Sequence, residues 1–195
     1  MLYEEMRSCE RCALSKTRTS VVCGFGNEKS DIVFVGEAPG FHEDKQGKPF
    51  VGAAGKLLTE LLAGIGIARE DVYIANVLKC RPPGNRSPLP AEIELCRTFL
   101  DRQLEAINPK AVCTMGNFST RAVLQKEVYI SKVRGVPVKM GKFTVFPLYH
   151  PAAALHRGDM RVPLKEDFEK LKAFLESASR PEPDEEKEPE QLSLW

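Results

Sequence analysis

Between Ile32 and Ala63 a short apolar run, a polar loop and an apolar-periodic stretch follow one another, a succession that calls for an α/β fold. Ile32-Val33-Phe34-Val35 has the length of a buried strand. Gly36, Pro39 and Gly40 then break the chain into a loop carrying Glu37, His42, Glu43, Asp44 and, between Pro49 and Val51, Phe50. From about Ala53 to Ala63 the apolar residues Leu57, Leu58, Leu61 and Leu62 fall at helical spacing, and Gly64 and Gly66 end the stretch. In α/β sheets ligands sit beyond the carboxyl ends of the strands, where this loop lies. Four acid or imidazole groups and an aromatic in one such loop point to a site, because a solvated loop has little use for Phe50 among glycines.

The rest of the chain repeats the pattern. Val72 to Val77 reads as a second strand, with Asn76 near its carboxyl end. The loop that follows, Lys79 to Pro90, is rigid, basic and proline-rich, and its Lys79, Arg81 and Arg86 suit phosphates. A helix is expected over about 91–106, a strand over 111–115 and a helix over 118–124. A hairpin of 136–140 and 143–148 turns at Gly141-Lys142, and a closing helix covers 163–177. His150 lies just past the last strand. A capping asparagine or a structural histidine would account for either residue alone; their placement at strand ends beside the first loop favours a shared pocket.

Residues 1–179 read as one domain and 180–195 as a disordered acidic tail. Residues 181–190 hold six acids and one lysine, so the other residues carry 27 basic against 21 acidic side chains. A basic body with an acidic tail permits a polyanionic partner. No apolar run approaches the roughly 20 residues of a membrane span. The N-terminus is polar, and a cytoplasmic location is expected.

Six cysteines in such a chain are better metal ligands than disulfides. Cys9-x2-Cys12 offers two thiolates from one tight turn, and no apolar strand precedes Cys9 as a redox motif would require. With Cys80 and Cys96 they make a set of four that suits either a [4Fe–4S] cluster or Zn²⁺. Spacing alone does not choose, although a loop cysteine paired with a helix cysteine is not a zinc knuckle. Cys23 and Cys113 are the spares, and Cys113 lies in a strand expected to be buried. Gly52-Ala53-Ala54-Gly55-Lys56 superficially resembles a phosphate-binding loop. Leu57 stands where a Mg²⁺-holding hydroxyl would be needed, and the glycine spacing is wrong.

Taken together, G-E-A-P-G at 36–40, P-F-V-G-A-A-G at 49–55, N-V-L-K-C-R-P-P at 76–83 and H-P-A-A-A-L at 150–155 resemble the family 4 uracil-DNA glycosylases, the iron–sulfur members of their superfamily. The resemblance spans about residues 5–175. It implies a three-layer α/β sandwich with a central, mostly parallel four-stranded sheet flanked by helices. Cys9, Cys12, Cys80 and Cys96 fall where the family has its structural [4Fe–4S] ligands. The implied reaction is hydrolysis of the N-glycosidic bond of deoxyuridine in single- or double-stranded DNA by a monomer, through base flipping.

The residues fit that chemistry. Phe50 stacks on the extruded uracil, the Asn76 amide pairs with O4 and N3–H, and the main-chain N–H around Ala38 binds O2. His150 donates to the same oxygen as negative charge grows on the leaving base. In the best-known branch of the superfamily an aspartate holds the water, and Ala38 stands in its place. Glu37 is the first candidate for that role, with Glu43 and Asp44 the alternatives. Gly40 replaces the tyrosine that blocks the thymine methyl in that branch, a space Glu43 can fill. Residues 150–155 would form a loop entering the minor groove, with Leu155 as wedge and Arg157 and Arg161 on phosphates. The competing class is a non-enzymatic, cluster-bearing nucleic-acid binder, which has no need of Glu37, Phe50, Asn76 and His150 at three strand ends. Finally, Gln191, Leu194 and Trp195 resemble the short motif by which repair proteins dock on a sliding clamp.

Overall fold

The structure, a computed structural model, describes residues 2–178. In chain order its elements are α1 (Leu2–Arg7), β1 (Phe25–Gly26), β2 (Ile32–Gly36), α2 (Phe41–Gln46), α3 (Ala53–Gly64), β3 (Tyr73–Asn76), α4 (Pro90–Ile107) and β4 (Ala111–Met115). There follow α5 (Asn117–Leu124), α6 (Ile130–Val133), β5 (Val138–Met140), β6 (Phe143–Leu148), α7 (Pro151–His156) and α8 (Arg161–Ala178).

The strands form one sheet in the order β1-β3-β2-β4-β6-β5. Its centre, β3-β2-β4-β6, is parallel. Strands covered on both faces need no polar alternation, which is why these four read as near-continuous apolar runs. Phe34 turns to one face, against Leu58, Leu62, Phe168 and Leu171. Val33 and Val35 turn to the other, against Leu100, Leu104 and Val123. Helices α3 and α8 therefore cover one side and α4 and α5 the other, giving three layers. No helix among the described residues is long and apolar enough to cross a membrane.

Two antiparallel edge strands, β1 and β5, widen the expected four-stranded sheet to six. Two exposed residues, Phe25 and Gly26, carry no periodicity that would announce β1. The loop after β2 also contains helix α2, whose sequence F-H-E-D-K-Q has no apolar repeat. Where a loop was expected over 150–155, residues 151–156 form α7, with Pro151 at its first turn and His150 as its cap. The tail residues Gln191, Leu194 and Trp195 lie outside the described residues.

The parallel order puts the ends of β2, β3 and β6 along one rim. From β2 the chain crosses to β3 on one side and from β4 it goes to β6 on the other, and a crevice at such a switch is where α/β sheets bind ligands.

Candidate active site

Ala38, Gly40, Glu43, Phe50, Ala54, Asn76 and His150 line a pocket of about 180 Å³ at that rim. This is small beside sites for drug-sized ligands and suits a single heterocycle.

Phe50 is placed by an unusual backbone. Its φ is 52°, left-handed and costly for a bulky residue. Arg69 holds the turn, donating through Nη2 to the carbonyls of Pro49 (3.1 Å) and Phe50 (2.9 Å) and through Nη1 to that of Gly55 (3.2 Å). A side chain at Gly55 would sit on the Phe50 carbonyl, and a Cβ at Gly36 would lie 2.7 Å from the Phe50 ring. Both glycines are thus required by close approach. The Phe50 ring in turn stacks on His150, centroids 5.6 Å apart.

His150 Nδ1 accepts the Ala152 N–H at 3.1 Å. That bond assigns the proton of a neutral ring to Nε2. Burial pushes the imidazole down to about 4, against the opposing pull of the Glu43 carboxylate. The residue is a neutral hydrogen-bond donor at pH 7. Its neighbour Tyr149 is fastened by its N–H to Asp167 Oδ2 (3.1 Å) on α8, and Asp167 is paired with Arg134 at 2.8 Å.

Asn76 ends β3 and is buried, its Oδ1 without a hydrogen-bond partner. Its carbonyl accepts from Lys79 Nζ at 2.7 Å, and Lys79 also donates to Gln103 at 2.6 Å. Burial pushes this lysine down to about 8. Lys79 is 1% exposed, so it cannot reach a phosphate; it braces the strand end instead.

The three candidate acids separate by environment. Glu43 lines the pocket, and its Oε1 accepts the N–H groups of Val51 (2.9 Å) and Gly52 (2.8 Å). Asp44 is buried away from the pocket, and its Oδ1 accepts from Thr19 and Ser20, which makes it an anchor for the N-terminal segment and removes it from the water candidates. Glu37 does not line the pocket; it sits half-buried beside Ala38, its main-chain carbonyl accepting the Leu78 N–H at 3.0 Å and its carboxyl with no hydrogen-bond partner among the described residues, and burial raises that carboxyl above the ordinary 4.5. Desolvated, unpaired carboxylates of this kind cluster at functional sites.

The expected DNA contacts divide likewise. Arg86 makes a two-pronged pair with Glu92 (2.6 and 3.0 Å), and Arg157 pairs with Asp159 at 2.7 Å. Each is already committed to a carboxylate. Arg81 is paired with no carboxylate among the described residues; it donates to the neutral Asn85 Oδ1 at 2.7 Å. Leu155 is exposed on α7.

Behind β3, Cys9, Cys12, Cys80 and Cys96 line one cavity with Met6, Leu14, Leu78 and Phe99. Cys80 Sγ accepts from Arg18 (3.4 Å) and Cys96 Sγ from the Lys79 N–H (3.3 Å). Among the described residues no three His, Cys, Asp or Glu side chains are grouped to hold a single ion. Four thiols, two of them accepting N–H bonds, line one cavity and could together hold a metal centre. Cys113 is buried in the core of β4, whereas Cys23 is buried in the cluster against which Cys9 and Cys96 pack.

The profile of the uracil DNA glycosylase superfamily matches residues 23–176. The chain belongs to that superfamily. It is 51% identical over 178 residues to the type-4 uracil-DNA glycosylase of Archaeoglobus fulgidus, covering 87% of this chain and 89% of that one. The type-4 enzymes of Sulfurisphaera tokodaii and Saccharolobus solfataricus are 49% and 48% identical, covering 88% and 91% of this chain and 82% and 86% of theirs. This places it in the type-4 branch. Reading by sequence missed three parts of a glycosylase site of this shape. Arg69 and Asp167 stand in helical or turn segments far along the chain from what they hold, and Lys79 looks like a surface cation until the burial of the whole Val72–Cys80 segment is seen.

Proposed function

We propose that this protein removes uracil from DNA by hydrolysing the N-glycosidic bond, and that the 180 Å³ pocket receives the flipped base. The observation that carries the reading is the neutral His150, its proton directed to Nε2 and its ring stacked on Phe50, in one pocket with the unpartnered amide oxygen of Asn76.

In this pocket uracil stacks on Phe50. N3–H of the base supplies the donor that Asn76 Oδ1 lacks, and the amide N–H faces O4. Cytosine presents the reversed pattern, leaving buried groups unpaired, a large penalty. As the bond to C1′ lengthens, charge collects on the base. His150 Nε2–H and the Ala38 N–H stabilise it at O2, in the manner of an oxyanion hole. Water adds to C1′, oriented by Glu37, which is free to act because no other group holds it. An oxocarbenium-like path asks for orientation and charge more than basicity. Glu43, fixed by two N–H groups, forms the wall near Gly40 and excludes the thymine methyl.

The four-thiol cavity fits a [4Fe–4S] cluster held by Cys9, Cys12, Cys80 and Cys96. Its contribution when bound is structural, tying the N-terminal segment to the loop after β3 and to α4. Leu155 and Arg81 face DNA, and the C-terminal Gln191, Leu194 and Trp195 suit a sliding clamp; deleting 190–195 should abolish clamp binding in calorimetry and spare excision on short oligonucleotides. Action on DNA by a monomer agrees with a cytoplasmic location.

The test is uracil release from a labelled oligonucleotide, with wild type and His150→Ala. Release that drops by two or more orders of magnitude in the variant supports the reading. Equal release by both proteins removes His150, and no release by wild type returns the chain to the class of non-enzymatic binders.

A further inference from the structure

Phe41 is 45% exposed, a large aromatic left in water on the first turn of α2. It follows Gly40, which lines the pocket. Two cations approach its ring: Lys45 Nζ lies 4.8 Å and Arg81 Cζ 5.2 Å from its centre. Arg81 follows Cys80, whose hydrophobic cluster packs Ala38, another lining residue. Phe41 does not itself line the pocket, but it is the residue next to Gly40, and Arg81 links its ring to the loop after β3. Neither cation is paired with a carboxylate among the described residues, whereas Arg86 and Arg157 are.

We propose that Phe41, flanked by Lys45 and Arg81, is a stacking platform for the nucleobase next to the extruded uracil in single-stranded DNA. The proposal rests on the pocket assignment above and adds a second base contact to it. An aromatic face with cations beside it is the composition by which proteins hold single strands: every base has a π-face, and the cations track the phosphates. A cation over an exposed ring is held more weakly than a stacked base. Arrival of a strand therefore frees Lys45 and Arg81 to swing from the ring to the phosphates on either side. In a duplex the neighbouring base is already stacked on its own helix, so the platform gains little there.

The experiment measures steady-state excision from a single-stranded oligonucleotide with one uracil, using wild type, Phe41→Ala and Phe41→Trp. Each is also tested on oligonucleotides in which one neighbour of the uracil is replaced by tetrahydrofuran, a sugar without a base. Phe41→Ala should raise KM on the ordinary strand on the order of tenfold, and Phe41→Trp should restore it. Tetrahydrofuran on the stacked side should raise the wild-type KM by a similar factor and that of Phe41→Ala no further. On a duplex substrate the Phe41→Ala effect should shrink to under about threefold. If Phe41→Ala loses the same factor with and without the neighbouring base, the ring does not stack on it. An unchanged KM in Phe41→Ala, or an equal loss on duplex, also overturns the proposal. Because Phe41 is exposed, a melting temperature within a few degrees of wild type will show that the variants fold. Wild-type excision on the ordinary strand separates failure of the platform from failure of the pocket.

Discussion

His150 is kept a donor by two separate features, the Ala152 N–H on Nδ1 and burial that pushes the ring down to about 4. Its unperturbed value is 6.5, so between about 4 and 6.5 the unfolded chain binds a proton that the folded chain refuses. The stability this group contributes is thus full above pH 6.5 and is lost as pH falls towards 4. The excision rate should accordingly show no histidine limb between pH 6 and 7. In the proposed role Glu37 would have to be ionised to orient water, and burial raises it above 4.5. The acid limb of kcat/KM should lie above 4.5, belong to Glu37, and vanish in Glu37→Gln, leaving a slower, flatter profile. A limb near 6.5 that disappears in a His150 variant would contradict this account. For base reading, Asn76→Ala should cost about 2–4 kcal/mol in transition-state stabilisation, comparable to losing a donor at a charge-developing site. Steady-state kcat/KM on uracil DNA measures it, and an unchanged value takes Asn76 out of the pocket.

The elements matter as mounts for these residues. Arg69 and the Gly55 backbone hold Phe50 in its left-handed turn. Gly55→Ala must push that turn away, so it should lose excision by more than tenfold while also lowering the melting temperature. On α8, Asp167 is fully buried, fastens the Tyr149 N–H and pairs with Arg134. Asp167→Ala leaves that N–H and the Arg134 Nε without a partner, while Arg134 Nη2 keeps Glu166 and the Pro163 carbonyl, a change expected to cost about 1–3 kcal/mol in denaturant unfolding. The strands that mount the site were legible because β2, β3 and β4 are buried on both faces and spell unbroken apolar runs. Helix α2 was not, since F-H-E-D-K-Q keeps one face wet and no apolar period marks it. A cap or a structural histidine would account for Asn76 or His150 alone, but their position at strand ends beside the loop that carries Phe50 marked them, and the three do share one pocket. The burial of Lys79, the commitment of Arg86 to Glu92 and the clamp from Arg69 depend on partners distant in the chain, which no local pattern reveals.

At the scale of the whole molecule, the cysteine cavity and the pocket are two ends of one segment. Asn76, the proposed reader of the base, has its carbonyl braced by Lys79 from within the core, and Cys80, the next residue, faces the four-thiol cavity. The Lys79 N–H donates to Cys96, so the same short stretch is tied to α4 as well. A group bound by the four thiols would cross-link the N-terminal segment, the end of β3 and α4, through Cys9 and Cys12, Cys80 and Cys96. Such a cross-link stabilises the fold and fixes the position of Asn76 without taking part in the chemistry. The purified protein should therefore be coloured, with broad absorption near roughly 400 nm as thiolate-bound iron–sulfur centres show. Cys96→Ser should bleach it and lower its melting temperature by 10 °C or more, which corresponds to several kcal/mol at about 2–4 °C per kcal/mol for a chain of this size. The base-reading arm should suffer more than binding does, so in the bleached protein kcat/KM on uracil DNA should fall while affinity for DNA without uracil changes little. Colourless protein that is fully active and contains one zinc per chain would show that the cavity holds a different metal, and bleached protein of unchanged stability would show that the cavity does not tie these elements together.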